Sequence, residues 1–210
     1  MPKNYKRTVD TRSLETFIVI AVEGKKTEPE YFENIKNELK NKNIKLKILP
    51  PLDEASAPKK RLGDLLLKLK DYSKTDSFWL VCDVDRHNNL NVVIKDAKKN
   101  NIKTAISNPC FEVWLYLYCG DIKIDGSMVY FDETELEEQE NLDSQKMKTI
   151  YNKSKSKNCN DHQIAIERAQ ELTKTAGAEN FLTEAEHRGK TNVYKLVQEI
   201  LDKNENSKNK

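Results

Sequence analysis

The stretch from Phe17 to Val22 is apolar at every position, and it constrains the fold more than any other feature. A strand with one solvated face alternates apolar and polar residues, whereas an unbroken apolar run is typical of a central parallel strand covered on both sides. The pattern recurs from Phe78 to Cys82. Strand and helix patterns alternate along the first 120 residues, which predicts an α/β fold with helices on both faces of the sheet.

Four strands are predicted, at 17–22, 44–49, 78–83 and 103–107, in a mainly parallel sheet. The segment 44–49 alternates apolar residues with Lys45 and Lys47, so it should form an outer strand with one buried face.

Helix starts are predicted from capping residues. Thr27 and Glu30 have the spacing of a capping box for the helix after the first strand, and Pro29 is tolerated in its first turn. Asp161 and Thr191 should cap two C-terminal helices.

The 210 residues suffice for one domain, which we expect to span residues 16–201. Residues 1–15 are polar and basic and are predicted to form a flexible arm. Residues 132–158 carry strong local charge and few apolar residues, which predicts a mobile insertion. A disordered tail is expected at 202–210.

Composition excludes several classes of protein. The net charge of +2 does not by itself indicate a nucleic-acid-binding protein, although local basic patches could bind one. The four cysteines include no C-x-x-C pair and are interpreted as reduced thiols rather than as zinc ligands or disulfides. The sequence has no apolar run of membrane length and no signal peptide, so we expect a cytoplasmic protein with no membrane partner.

The sequence after the first strand, Glu23-Gly24-Lys25-Lys26-Thr27, superficially resembles a phosphate-binding loop. The spacing excludes that motif, because the first glycine would have to stand at Val19, inside the strand. Glu23 is then a carboxylate at the carboxyl end of a buried strand, where α/β sheets build their sites. Gly24 allows a tight turn or a close approach of the backbone.

Acids follow two of the predicted strands. Glu23 follows the first, and Asp83 and Asp85 follow the third. Carboxylates gathered at one sheet edge repel one another, and a hard divalent cation such as Mg²⁺ removes that cost. The alternative is that these acids only cap helices or are solvated; their joint occurrence favours a metal site.

Three motifs resemble a known family. "VEGKKTEPEYF", "WLVCDVDRH" and "SNPCFEVWLYLY" are similar to the RloB-like family, which is linked to abortive-infection phage defence. Glu-Gly after the first strand and Asp-x-Asp after a later one resemble the Toprim domain. The resemblance implies a Toprim-like (Rossmann-like) fold and an Mg²⁺- or Mn²⁺-dependent nuclease acting on DNA or RNA, with Glu23, Asp83 and Asp85 as its metal-binding acids. It also makes a partner ATPase plausible.

Other residues are weaker candidates. Glu28 stands near the place where many Toprim sequences have an Asp, so it could bind a metal or only favour a helix N-terminus. Glu112 could bind a metal or orient water, or be an ordinary acid in the first turn of a helix. The basic residues beside the acids could hold phosphate or be solvated: Lys25, Lys26 and Arg86. His87 could act as an acid or base, although one histidine in a polar loop is a weak signal.

Two other functions compete with the nuclease. A non-catalytic Toprim-like module could sense a signal or regulate a defence ATPase, but the intact acid set favours catalysis. A phosphate-accepting receiver domain would have paired acids after the first strand and one Asp after the third, the reverse of this sequence.

Overall fold

The computed structural model describes residues 15–51, 57–84, 87, 89–125, 128–131, 138–140, 142–154, 161–174 and 188–205. The described strands are β1 (Thr16–Ala21), β2 (Ile44–Leu49), β3 (Ser77–Asp83), β4 (Lys103–Asn108), β5 (Ile122–Asp125), β6 (Met128–Phe131), β7 (Glu138–Glu140) and β8 (Lys190–Thr191). The described helices are α1 (Thr27–Glu38), α2 (Pro58–Lys68), α3 (Leu90–Lys99), α4 (Glu112–Tyr116), α5 (Ser144–Ser154), α6 (His162–Thr173) and α7 (Val193–Glu205).

The central sheet has the strand order β2-β1-β3-β4-β8. The first four strands are parallel, and they coincide with the four predicted strands. β2 lies at the edge with Lys45 and Lys47 exposed, as its alternation predicted. β8 is antiparallel to β4 and was not predicted, because two residues are too few to show a periodicity.

The sheet separates two hydrophobic cores. Ile18 and Ile20 of β1 belong to the core that includes α1, α4, α5, α6 and α7, whereas Val19 and Ala21 belong to the core that includes α2 and α3. All four side chains are fully buried. Helices on both faces therefore account for the unbroken apolar run of β1. The fold is mixed α/β with a mainly parallel central sheet, as predicted.

A second sheet lies outside the predicted architecture. It is antiparallel, with the order β5-β6-β7, and α5 follows it. Leu142, Met147 and Ile150 are fully buried in the larger core. The expectation that 132–158 has few apolar anchors is therefore wrong for residues 142–154.

Some domain predictions fall on positions that the structure does not describe. Residues 132–137, 141 and 155–158 lie outside the described residues, as do residues 1–14 of the predicted arm and 206–210 of the predicted tail. Their mobility stays a prediction. The disorder expected from residue 202 onwards is wrong for residues 202–205, which continue α7 as far as Glu205. No helix in the described ranges has the length and hydrophobicity needed to cross a membrane.

The start of α1 differs from its prediction. The helix begins at Thr27, so that Lys26 occupies the N-cap position and no side chain caps the helix there. The capping box predicted from Thr27 and Glu30 is therefore wrong. Thr27 already has helical geometry, and Glu28 is the acid that reaches back to the preceding loop.

The two C-terminal caps are confirmed. The carboxylate of Asp161 accepts hydrogen bonds from the N–H groups of Gln163 and Ile164 at the start of α6. The hydroxyl of Thr191 accepts one from the N–H of Val193 at the start of α7.

Glu199 of α7 joins that helix to the amino ends of β3 and β4. Its carboxylate accepts hydrogen bonds from the Trp79 indole (3.1 Å) and from Lys103 (2.6 Å), and it pairs with Lys203 (2.9 Å). Burial raises the pKa of Glu199, but hydrogen bonds with Lys103, Ser77 and Lys203 and the charge of Lys203 outweigh burial and lower the pKa to about 2.

We expect Glu199→Gln to lower the free energy of unfolding at neutral pH by about 1–3 kcal/mol, because a carboxyl group with a lowered pKa stabilises the folded state above its unfolded pKa. The difference between variant and wild type should shrink as the pH falls from about 4.5 to about 2, as the carboxylate becomes protonated in the unfolded and then the folded state. Urea unfolding of both proteins across this range measures it. A difference that does not change with pH would contradict the assignment.

Candidate active site

The carboxyl edge of the central sheet brings two predicted acids together. β1 and β3 are parallel neighbours, so Glu23, just after β1, lies beside Asp83 at the end of β3. The Asp83 N–H donates a long hydrogen bond of 3.4 Å to Oε2 of Glu23. The two strand ends therefore meet as predicted. Asp85 and Arg86 lie outside the described residues, and their contribution stays a prediction.

His87 contacts Glu23 directly. Its Nε2 lies 2.6 Å from Oε1 of Glu23, and the two side chains are 19% and 9% exposed. An ionised carboxylate only accepts hydrogen bonds, so in the tautomer that forms this contact with ionised Glu23 the donor is Nε2. The sequence made His87 a weak candidate; the structure makes it the neighbour that orients Glu23.

Gly24 lies directly against the carboxylate of Glu28. Its N–H donates to Oε1 of Glu28 at 3.0 Å. A Cβ at position 24 would stand 2.0 Å from Oε2 of Glu28, far inside van der Waals contact. Of the two roles predicted for Gly24, the structure supports the close approach: the carboxylate of Glu28 occupies the volume that a side chain would need.

Glu28 is an unusual acid because it is 6% exposed. Burial raises its pKa above the usual value, and the negative charges of Glu112 and Glu23 add to the increase, against the opposing backbone hydrogen bonds at Glu28 and Gly24. Glu28 therefore lies within electrostatic reach of both other acids.

The packing of helix α4 against helix α1 positions Glu112. The ring of Tyr31 in α1 makes edge-to-face contacts with Phe111 (5.4 Å between centroids) and with Trp114 of α4 (6.4 Å). These contacts hold the first turns of α1 and α4 near each other, and so bring Glu28 towards Glu112.

The buried thiol of Cys110 lies near both the start of α4 and the end of β3. Burial raises the pKa of Cys110, and the charges of Asp83 and Glu112 raise it further. Both acids are therefore near the same sulfur atom. The raised pKa keeps Cys110 protonated. Among the described residues Cys82, Cys110 and Cys119 are free cysteines, in agreement with the prediction of reduced thiols.

Basic residues surround the acids. Lys25 and Lys26 are exposed on the loop before α1, where a phosphate could reach them. Two further residues were missed by the sequence analysis. Lys190 of β8 is 7% exposed and pairs in register with Asn108 at the end of β4. Neither it nor the buried Arg61 belongs to a motif, so only the tertiary structure reveals them.

Arg61 of α2 holds the ends of two strands. Its Nε donates to the carbonyl of Val22 (3.1 Å), and its Nη2 donates to the carbonyls of Leu49 and of Pro50 (3.2 Å). Its Nη1 pairs with Asp64. The guanidinium thereby fixes the backbone immediately before Glu23.

The acids suit a hard cation. Glu23, Glu28, Asp83 and Glu112 offer only carboxylate oxygens, which Mg²⁺ and Mn²⁺ prefer. Among the described residues, which exclude Asp85, no three His, Cys, Asp or Glu side chains already form a metal-binding group. A cation bound there would draw on acids that now contact His87 and Gly24.

Gly24→Ala should destabilise the fold by about 0.5–1.5 kcal/mol, because the new methyl group displaces the movable Glu28 carboxylate from its hydrogen bond with the N–H of residue 24. Thermal unfolding measures the effect. In a protein that already carries Glu28→Ala the overlap is absent, so Gly24→Ala should lower the stability much less there than in wild type. Equal decreases in stability in the wild-type and Glu28→Ala proteins would contradict this role of Gly24.

Comparison with known proteins identifies the family. The model of the family described as RloB-like protein matches residues 18–200. Neither a curated protein nor a solved structure shows a significant match to the chain. The matched segment includes the central sheet and every acid of the candidate site, and it makes up most of the chain. The resemblance of the motifs to the RloB-like family is thereby confirmed: this chain belongs to that family.

Proposed function

We propose that the chain is a metal-dependent nuclease that hydrolyses phosphodiester bonds in anti-phage defence. The observation that carries the proposal is the gathering of Glu23, Glu28, Asp83 and Glu112 at one sheet edge, where the raised pKa of Glu28 reflects burial and nearby negative charge. The family resemblance supports the defence role, the Toprim-like interpretation of the fold and a partner ATPase. DNA and RNA are both compatible with the site.

A cation would be held by Glu23 and Asp83, with Asp85 as a third expected ligand and Glu28 or Glu112 completing the set. Bound Mg²⁺ or Mn²⁺ supplies a polarised phosphoryl oxygen and a water of lowered pKa. Lys25, Lys26 and Arg86 would hold the phosphates that flank the scissile bond, which positions the substrate.

The contact between His87 and Glu23 has a role in this scheme. Because Nε2 of His87 donates to Oε1 of Glu23, it fixes the rotation of the carboxylate. The Asp83 N–H contacts Oε2, so both oxygens have a defined direction. Partners of this kind orient metal ligands, and their loss typically costs about 10–100-fold in metal affinity or activity. His87 is therefore a positioning residue.

Asp83→Asn should weaken Mg²⁺ binding about 10–100-fold or more and abolish cleavage, since it removes a carboxylate and keeps the shape of the side chain. The metal-free variant should be no less stable than wild type, because repulsion among the acids decreases. Calorimetric Mg²⁺ titration, urea unfolding, and cleavage of plasmid, single-stranded DNA and total tRNA measure these effects. Asp96→Asn, on the exposed part of α3, is the matched control.

Equal metal binding by wild type and Asp83→Asn would refute the proposal. A non-catalytic module that regulates a partner ATPase would then be the better interpretation. Adding that partner to the cleavage assay separates an inactive isolated chain from one that has no catalytic site.

His87→Ala should lower turnover about tenfold or more, and His87→Gln should lose less, because the glutamine amide can still donate a hydrogen bond to Glu23. The Michaelis constant should change little, since His87 acts on Glu23 and not on the substrate. Steady-state cleavage and Mn²⁺ titration of both variants are the measurements. If both variants lose turnover to a similar extent, or if only the Michaelis constant changes, a positioning role for His87 is excluded.

A further inference from the structure

A long groove runs along the opposite, amino edge of the central sheet. Its wider part, of about 790 Å³, lies between the starts of β3 and β4 and helix α7. A narrower part, of about 450 Å³, continues between α3 and the loop before α7. The two parts share Asn101, Lys103 and Lys195, so they form one continuous surface, which we call the amino-edge groove.

Lysines dominate the amino-edge groove. Lys98, Lys103 and Lys195 line its narrow part, and none of the described residues lining that part is acidic. Lys74 and Lys203 line the wide part. This concentration is local, since the chain as a whole has 36 basic and 34 acidic residues.

Three acids line the wide part, and each has a hydrogen-bond or ion-pair partner. The carboxylate of Asp202 accepts a hydrogen bond from the Gln198 amide. Glu199 binds Lys103 and Lys203. Asp76 accepts hydrogen bonds from the N–H groups of Phe17 and Ser73. Five lysines and three acids line the two parts together, so the groove carries an excess of positive charge. Lys74, Lys98 and Lys195 are the exposed lysines that none of these acids binds in the contacts above.

The lining favours a nucleic acid over a protein partner. Protein interfaces are depleted of lysine and enriched in arginine, yet no arginine occurs among the described residues that line either part of the groove. Lysine ammonium groups bind phosphate as point charges. The side-chain amides of Asn101 and Gln170 add hydrogen-bond donors for phosphate or sugar oxygens.

The groove is remote from the candidate active site. β3 has seven residues from Ser77, in the groove, to Asp83, at the acids, which corresponds to about 20 Å. A single phosphodiester therefore cannot contact both edges, whereas a longer strand that passes around the domain could.

We propose that the amino-edge groove is a second binding site for the phosphate backbone of the nucleic-acid substrate. The assignment of that backbone to the substrate rests on the proposed nuclease function, but binding itself does not. The contacts are electrostatic and sequence-independent, and each lysine–phosphate contact releases a counterion.

The test measures binding without cleavage. The full chain carrying Asp83→Asn is titrated in EDTA with a labelled single strand of about 30 nucleotides, long enough to span both edges. Lys74→Gln/Lys98→Gln/Lys195→Gln should weaken binding at about 0.1 M salt by about tenfold or more, and should reduce the slope of log K against log salt by about 2. Lys146→Gln/Lys148→Gln/Lys153→Gln, on α5, is the charge-matched control and should bind as the parent does.

A second variant changes the charge in the opposite direction. Asp202→Asn removes an exposed acid from the groove and should tighten binding at least about twofold, with a steeper salt dependence. Its effect cannot be attributed to unfolding, because an unfolded protein would not gain affinity.

The outcomes distinguish this proposal from the nuclease proposal. Equal losses of affinity in the groove and control triple variants would show that the strand binds to positive charge anywhere on the protein. That result would overturn the groove proposal. Equally tight binding of poly-glutamate, with the same dependence on the three lysines, would also overturn it and indicate an acidic protein partner. If Asp83 proves irrelevant to metal binding while the groove variants behave as expected, the nuclease proposal fails and the groove stands.

Discussion

The parallel pairing of β1 with β3 determines where the charged groups of this protein meet. Ile18 to Ala21 pair in register with Ser77 to Leu80, so the residues that follow both strands emerge at one edge. Two partly buried carboxylates at that edge raise each other's free energy. One backbone N–H and one imidazole offset part of this cost at Glu23. A shift of one residue in the pairing would turn the apolar side chains to the wrong faces, so the two cores fix the register and thereby the site.

Helix packing supplies the rest of the acidic cluster. Glu28 and Glu112 do not lie on strands; they meet because the aromatic rings of Tyr31, Phe111 and Trp114 hold α1 against α4. The site therefore depends on two independent sets of contacts, a backbone ladder and an aromatic cluster. Changes in the aromatic cluster should move one pair of acids relative to the other while leaving the sheet intact.

The parts of the fold that the sequence predicted have strong local patterns. The four parallel strands follow from unbroken or alternating apolar runs, and the caps at Asp161 and Thr191 from residue type. β8 escaped prediction because its two residues pair only through tertiary contact with β4. The start of α1 was misplaced because Thr27 fits a capping box, while the actual backbone places Lys26 at the N-cap.

The candidate site was predictable to a similar degree. Strand ends identify Glu23 and Asp83, since topology alone brings them together. The role of His87 was not predictable, because nothing in a polar loop shows which way its side chain points. The buried Arg61 was missed for the same reason: its partners are carbonyl groups, which have no signature in the sequence.

Arg61 clarifies how the charge of the carboxyl edge is balanced. Its guanidinium is 3% exposed and uses its donors on strand-end carbonyls, while its formal charge is matched by Asp64. The Arg61–Asp64 pair thus stabilises the backbone before Glu23. A proton, which the raised pKa of Glu28 favours, or a bound cation would each reduce the repulsion among the acids further. The two are mutually exclusive at Glu28, because a metal ligand must give up its proton. In the proposed mechanism, a cation that binds Glu28 would therefore displace any proton held there.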